Sequence, residues 1–259
     1  MAGKVALITG ASSGLGVEFA KLAAQEGHDV ILVARREPQL VELGRQLTAA
    51  HGIAAHPIAA DLGDPAAPQR LFDEVQRRGL SVDVLVNNAG FGSNGPFLDQ
   101  PLPRETEMVQ VNVQAVLQLA WLFGRGMRER KSGRILNIAS TAGFQPGPFM
   151  ATYYASKSFV ILFSEALSHE LRGSGVTVTA HCPGATQTGF ADASGNAKSK
   201  LFQQRKPASA AEVAAHGWKA MKAGKPVAVH GVLNAIGAFG VRLSPRGAIR
   251  SIAASLNKT

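Results

Sequence analysis

The chain has 259 residues, 46% of them hydrophobic and 17% charged. That is the length of one large domain or two small ones, with enough apolar material for a substantial core, and it excludes disorder by low hydrophobicity. The net charge of +9 comes from scattered Lys and Arg with no long basic run, and only 6% of residues are aromatic, so a nucleic-acid face is a weak reading and an anionic small ligand a better one.

In chain order, residues 5–9, 30–33, 82–86, 134–139, 176–180 and 226–230 are short β-branched runs that predict buried parallel strands, with 53–58 a weaker seventh. Helical spacing fills 15–26, 38–50, 65–78, 105–130 and 152–172. Strand and helix alternating from end to end predict a single doubly wound α/β domain of Rossmann type over residues 1–259. Its parallel sheet has about seven strands, covered on both faces. The polar, glycine-containing stretch 184–207 is too long for an ordinary connection and predicts a substrate lid. No apolar run approaches the ~20 residues of a membrane span. The start, Met1-Ala2-Gly3-Lys4, has no leader pattern, and the single cysteine, Cys182, fits a reducing compartment. The expected location is the cytoplasm.

After the first strand comes Thr9-Gly10-Ala11-Ser12-Ser13-Gly14-Leu15-Gly16. Gly10 can take the dihedrals of a sharp turn, Gly14 removes a side chain beside a pyrophosphate, and Gly16 lets helix pack on strand. The helix that follows offers N–H groups and a partial positive charge to phosphate. At the end of the second strand, Val33-Ala34-Arg35-Arg36 places Ala34 where an NAD-specific site carries an acid. Arg35 can instead make a charge-assisted contact to a 2′-phosphate, with Arg36, Ser12 or Ser13 assisting. The coenzyme expected is NADP(H).

Tyr153-Tyr154-Ala155-Ser156-Lys157 contains Tyr-x-x-x-Lys on one helix. Residues four apart share a face, so the Lys157 ammonium is placed to lower the Tyr153 phenol from its usual value near 10. Tyr154 has no lysine four residues on and reads as a bystander.

The glycine spacing, followed along the chain by these motifs, resembles the short-chain dehydrogenase/reductase family, and the longer phrases resemble a bacterial branch of broad specificity. The resemblance implies roles for further residues. Asn88-Ala89-Gly90 steadies the sheet beside the cofactor, Asp61-Leu62 contacts the adenine, and Pro183-Gly184 with Thr188 grips the nicotinamide carboxamide. Ser140, thirteen residues before Tyr153, matches the serine that holds the substrate oxygen. Asn112 matches the asparagine that holds a water leading to Lys157, which itself also holds the nicotinamide ribose. Asn112, Ser140, Tyr153 and Lys157 thus form the expected catalytic set. The substrate implied is a small carbonyl or alcohol, hydrophobic because Phe144, Phe149, Met150, Phe190 and Phe202 are expected around the pocket. The helices rich in apolar residues at 109–123 and after Lys157 match the family's dimer interface, so a homodimer or homotetramer is expected.

Other features give less. The seven histidines form no metal-ligand pair, and Cys182 reads as a small buried hydrophobe. Arg242, Arg246 and Arg250 are four apart and could line one helix face in segment 232–259, although Ser244-Pro245 must interrupt it. The main reading of that segment is a solvated helix on the core, with membrane-surface contact a minor alternative. The rival function is a non-catalytic NADP-binding sensor or scaffold, which has no need of the catalytic set.

Overall fold

The computed structural model describes residues 4–190, 194–195 and 207–258. Seven parallel strands form the main sheet: β1 (Val5–Thr9), β2 (Asp29–Ala34), β3 (Ala55–Ala59), β4 (Val82–Asn87), β5 (Gly133–Ile138), β6 (Val176–Cys182) and, last in the chain, β9 (Val227–Val229). Their order is β3-β2-β1-β4-β5-β6-β9. The chain winds outward from β1 to β3, then returns to lay β4 against the other side of β1. That reversal opens a crevice at the carboxyl ends of β1 and β4, where ligands bind in such sheets.

The β-branched runs are continuous because both sheet faces are covered. Along β1, Val5 and Leu7 point into one core layer with Leu71, Leu119 and Phe123, while Ala6 and Ile8 point into the other with Phe19, Leu40 and Trp218. Each fully buried Leu, Ile or Phe contributes roughly 1.5–3 kcal/mol. The covering helices are α1 (Gly14–Gln25), α2 (Glu37–His51), α3 (Ala67–Arg77), α4 (Leu102–Val109), α5 (Ala115–Glu129), α6 (Ala151–Glu170) and α7 (Ala210–Lys222).

Two features depart from the sequence expectations. The helix expected over 105–130 is interrupted by a π-turn, Gln110–Gln114, between α4 and α5. Helix α7 was not foreseen, although Ser209 and Glu212 form a capping box at its start. As expected, Ser244-Pro245 interrupts the C-terminal segment: it separates α8 (Val232–Leu243) from α9 (Arg246–Asn257), leaving Arg242 on the first and Arg246 and Arg250 on the second. The expected lid is closed at its base, where β7 (Thr186–Gln187) pairs with β8 (Ala208–Ser209). Most of the lid lies outside the described residues.

Candidate active site

The glycine turn behaves as its spacing requires. Gly10 and Gly14 have φ of 66° and 56°, left-handed values that favour glycine. A Cβ on Gly16 would sit 2.1 Å from the Gly10 carbonyl oxygen, so α1 can lie against the turn only without a side chain there. A Cβ on Gly14 would meet the Thr188 side chain at 3.2 Å, which brings the start of the lid over the turn. The first turn of α1 carries no acid and Ser13 makes no side-chain cap, so the helix end keeps the polarity an anion seeks. Asn88 ties β4 to this turn: its Nδ2 donates to Thr9 O at 2.8 Å, and the N–H groups of Asn88 and Ala89 donate to Thr9 Oγ1 at 2.9 and 3.0 Å.

From here a cavity of about 730 Å³ runs across the carboxyl ends of the strands. It is lined by every residue singled out above for the cofactor or the chemistry except Gly16 and Asn112. Gly16 packs beneath the turn. Asn112 is fully buried in the π-turn, where Nδ2 donates to Phe91 O at 2.9 Å and to Ser156 Oγ at 3.1 Å, and Oδ1 accepts from Phe91 N at 3.2 Å. It therefore fixes the backbone after Gly90 and the helix that carries Tyr153.

Tyr153 and Lys157 lie buried on α6. The Lys157 ammonium donates to Ile138 O at 2.8 Å and sits 5.8 Å from the Tyr153 ring centroid. Ser140 follows β5 in extended conformation and caps the short turn Thr141–Phe144, its Oγ accepting from Ala142 N at 3.1 Å. The electrostatics run against the expected tuning. Burial pushes the Tyr153 phenol up to about 12, only partly opposed by its hydrogen bond with Ser140, and Lys157 does not offset it. Burial also pushes Lys157 down to about 8. Desolvation penalises the charged form of each group.

At the other end of the cavity Arg36 Nη2 donates to Ser12 Oγ at 3.2 Å, while Arg35 Nη1 lies 3.7 Å from Glu107 Oε1. Glu107 lines the same cavity. Sequence reasoning missed it, because a carboxylate on α4 gives no sign of its approach to the loop after β2. Asp61 accepts from Gly63 N at 3.0 Å.

The substrate end is only partly as expected. Met150 and Phe190 line it together with Phe91, Gln145 and Leu256, and the Tyr153 and Phe190 ring centroids are 5.1 Å apart. Phe144 instead packs against the core around Val160 and Cys182, and Phe149 takes a left-handed φ of 67° and does not line the cavity. The backbone turns these two away. Phe202 lies outside the described residues. Tyr154 is no bystander in structure: its hydroxyl donates to Asn257 Oδ1 at 3.0 Å, Asn257 Nδ2 donates to Pro148 O at 3.0 Å, and Asn94 Nδ2 donates to Asn257 O at 2.9 Å. Asn257, fully buried near the chain end, thus fastens α9 to the pocket wall.

The family model for short chain dehydrogenases matches residues 4–199. The chain belongs to that family. It is 38% identical over 191 residues to the ketoacyl reductase HetN of Nostoc sp., covering 73% of this chain and 66% of that protein. It is 35% identical over 187 residues to the very-long-chain 3-oxoacyl-CoA reductase of Anas platyrhynchos, covering 70% of this chain and 59% of the relative. Both relatives are longer than the part this short-chain dehydrogenase spans. Among solved structures, a short-chain dehydrogenase from Sphingobium yanoikuyae in complex with NADPH superposes with a TM-score of 0.83 at 30% identity, covering 93% of this chain and 94% of that one.

Proposed function

We propose that this protein is an NADP-dependent oxidoreductase that reduces a hydrophobic ketone or aldehyde, or oxidises the corresponding secondary alcohol. The observation that carries the reading is one cavity lined at one end by the glycine turn and Arg35 and at the other by Ser140, Tyr153 and Lys157. The residues present fit the cofactor: a cradle of close-approach glycines at a helix N-terminus for the pyrophosphate, and two guanidinium groups with Ser12 for a 2′-phosphate. Its similarity to an NADPH complex supports the same choice. When bound, NADPH supplies the hydride.

The chain's own residues supply the rest. A phenol held near 12 keeps its proton through the neutral range, so Tyr153 can donate it to the carbonyl oxygen as negative charge develops there. Ser140, fixed by its own turn, presents a hydroxyl to the same oxygen. Lys157, anchored on Ile138 O, contributes its remaining N–H groups to the ribose side of the cofactor and its charge to Tyr153 as the proton leaves. Asn112 holds the α6 end of this arrangement in place. Phe91, Met150, Phe190 and Leu256 make a wall for an apolar carbonyl compound. A non-catalytic sensor has no use for a buried tyrosine, serine and lysine converging on one cavity. The test is a panel of aryl ketones, steroids, 3-oxoacyl thioesters and aliphatic aldehydes screened for NADPH consumption. Turnover of at least one class is expected, and tight NADPH binding with no turnover of any would favour the sensor.

A further inference from the structure

Helix α8 presents its apolar residues to the outside. Val232, Ile236, Phe239 and Leu243 recur at positions one, five, eight and twelve, which is a single narrow stripe, and they are 77%, 63%, 61% and 76% exposed. Leu233 beside them is also exposed. The opposite side carries Asn234, Ala238 and Val241, all half-buried, and no residue of the helix is buried. A surface helix ordinarily does the reverse, with its apolar stripe toward the core. Twelve residues with Gly237 and Gly240 among them make a marginal helix in water alone. This stripe calls for a cover.

The surrounding charge indicates what covers it. From residue 213 to 258 the sequence contains Lys219, Lys222, Lys225, Arg242, Arg246, Arg250 and Lys258, and no Asp or Glu; of these, Lys222 is neutralised by Glu26, at the end of α1, at 2.6 Å. Arg242 stands at the end of α8, Arg246 and Arg250 in the first half of α9, and all three are exposed. We propose that α8 and the start of α9 dock the protein on an anionic phospholipid surface, with the stripe at the acyl boundary and the arginines among the headgroups. An anionic leaflet complements this acid-free, arginine-bearing segment, and pairing of α8 with a second copy is the outcome the test below separates from it. The docking proposed is that of an interfacial helix lying in the membrane plane. Asn234 of α8 and Leu256 of α9 line the cavity, so docking brings the substrate end to the bilayer, the source of an apolar carbonyl compound on the function proposed above. The docking itself stands on the helix and does not depend on that function.

The test is co-sedimentation of the whole protein with vesicles of phosphatidylcholine alone or with about a third phosphatidylglycerol, at physiological salt and without substrate. Partition onto the phosphatidylglycerol vesicles is expected to be at least ~10-fold stronger and to weaken as salt is raised. The outward-facing double variant Ile236→Ser/Phe239→Ser and, separately, Arg246→Gln/Arg250→Gln should each reduce it ~10-fold or more while thermal melting and the mass by light scattering stay at the parent's values. Equal or absent binding to the two vesicle types overturns the proposal. So does a fall in mass of the serine variant with vesicle binding unchanged, because the stripe is then a subunit interface.

Discussion

The two ends of the cavity are built differently. The cofactor end comes from short contiguous pieces: the turn from Gly10 to Gly16, Arg35-Arg36 after β2, Asp61-Leu62 after β3 and Asn88-Ala89-Gly90 after β4. Each acts through its backbone or its place at a strand end, so its geometry follows from local sequence. The substrate end is assembled from Phe91, Gln145, Met150, Phe190 and Leu256, which sit on different elements and meet only in the folded chain. Asn257 ties three of those neighbourhoods together across up to 163 positions of sequence. A ligand held by backbone leaves a motif, and a ligand held by an assembled wall of side chains does not.

The junction of the two ends gives the largest expected effect. Tyr153→Phe removes the proton donor but keeps the ring against Phe190, so kcat should fall ~10²- to 10⁴-fold while NADPH affinity, read by fluorescence titration, holds. Activity within a few-fold of the parent would remove Tyr153 from its role. The pH profile sharpens the point. Tyr153 ionises only near 12, so a loss of rate setting in as pH rises through about 8 reports deprotonation of Lys157, whose charge is present below that value and lost above it. A profile flat to pH 10 would contradict that assignment.

At the cofactor end, Arg35→Asp should reverse the coenzyme preference. A charge-assisted hydrogen bond contributes roughly 1.5–3 kcal/mol, or about 10- to 150-fold in kcat/KM. Glu107 adds an opposite test, since its carboxylate shares Arg35 with any phosphate that binds there. Glu107→Gln should improve NADPH affinity severalfold and leave NADH little changed. Equal kcat/KM for the two coenzymes in the parent would end the argument for Arg35.

At the substrate end, Asn257→Ala takes one of two side-chain partners from the Tyr154 hydroxyl, which keeps Gln145, and the side-chain donor from the Pro148 carbonyl. Each hydrogen bond lost costs about 0.5–1.5 kcal/mol net. The expected signature is a lower melting temperature and a raised KM for the carbonyl substrate, with NADPH binding unaffected. A change confined to NADPH would mean that α9 serves the cofactor end instead.

Most of the main sheet and the glycine turn were legible because hydrophobic period and backbone geometry are local properties. Ser140, Tyr153 and Lys157 were legible as a set through fixed spacing and family resemblance. Their electrostatics were not: spacing shows that Lys157 and Tyr153 share a helix face but says nothing of burial, which decides both shifts. Glu107 and Asn257 were invisible for a related reason, each being an ordinary polar residue whose partner is fixed by tertiary structure. Phe144 shows the converse error, an aromatic in the right stretch of chain that the backbone turns toward the core.

The smallest expected effect contrasts one substitution at two sites. At the cofactor end, alanine for Gly16 would place a Cβ 2.1 Å from a backbone oxygen that cannot move without breaking the turn. On α8, a Cβ at Gly237 meets nothing within 4 Å, and the residue lies inside a helix without a left-handed φ. There alanine restricts the unfolded chain and raises helix propensity without strain, so Gly237→Ala should stabilise by about 0.5–1 kcal/mol. Thermal melting followed by circular dichroism is the measurement, with an upward shift of a few degrees expected. Turnover and coenzyme preference should not change, because Gly237 does not line the cavity. A destabilised Gly237→Ala would mean that the helix is covered at this position by a tightly fitting surface, and comparing its melt with and without phosphatidylglycerol vesicles would then tell whether that surface is lipid or protein.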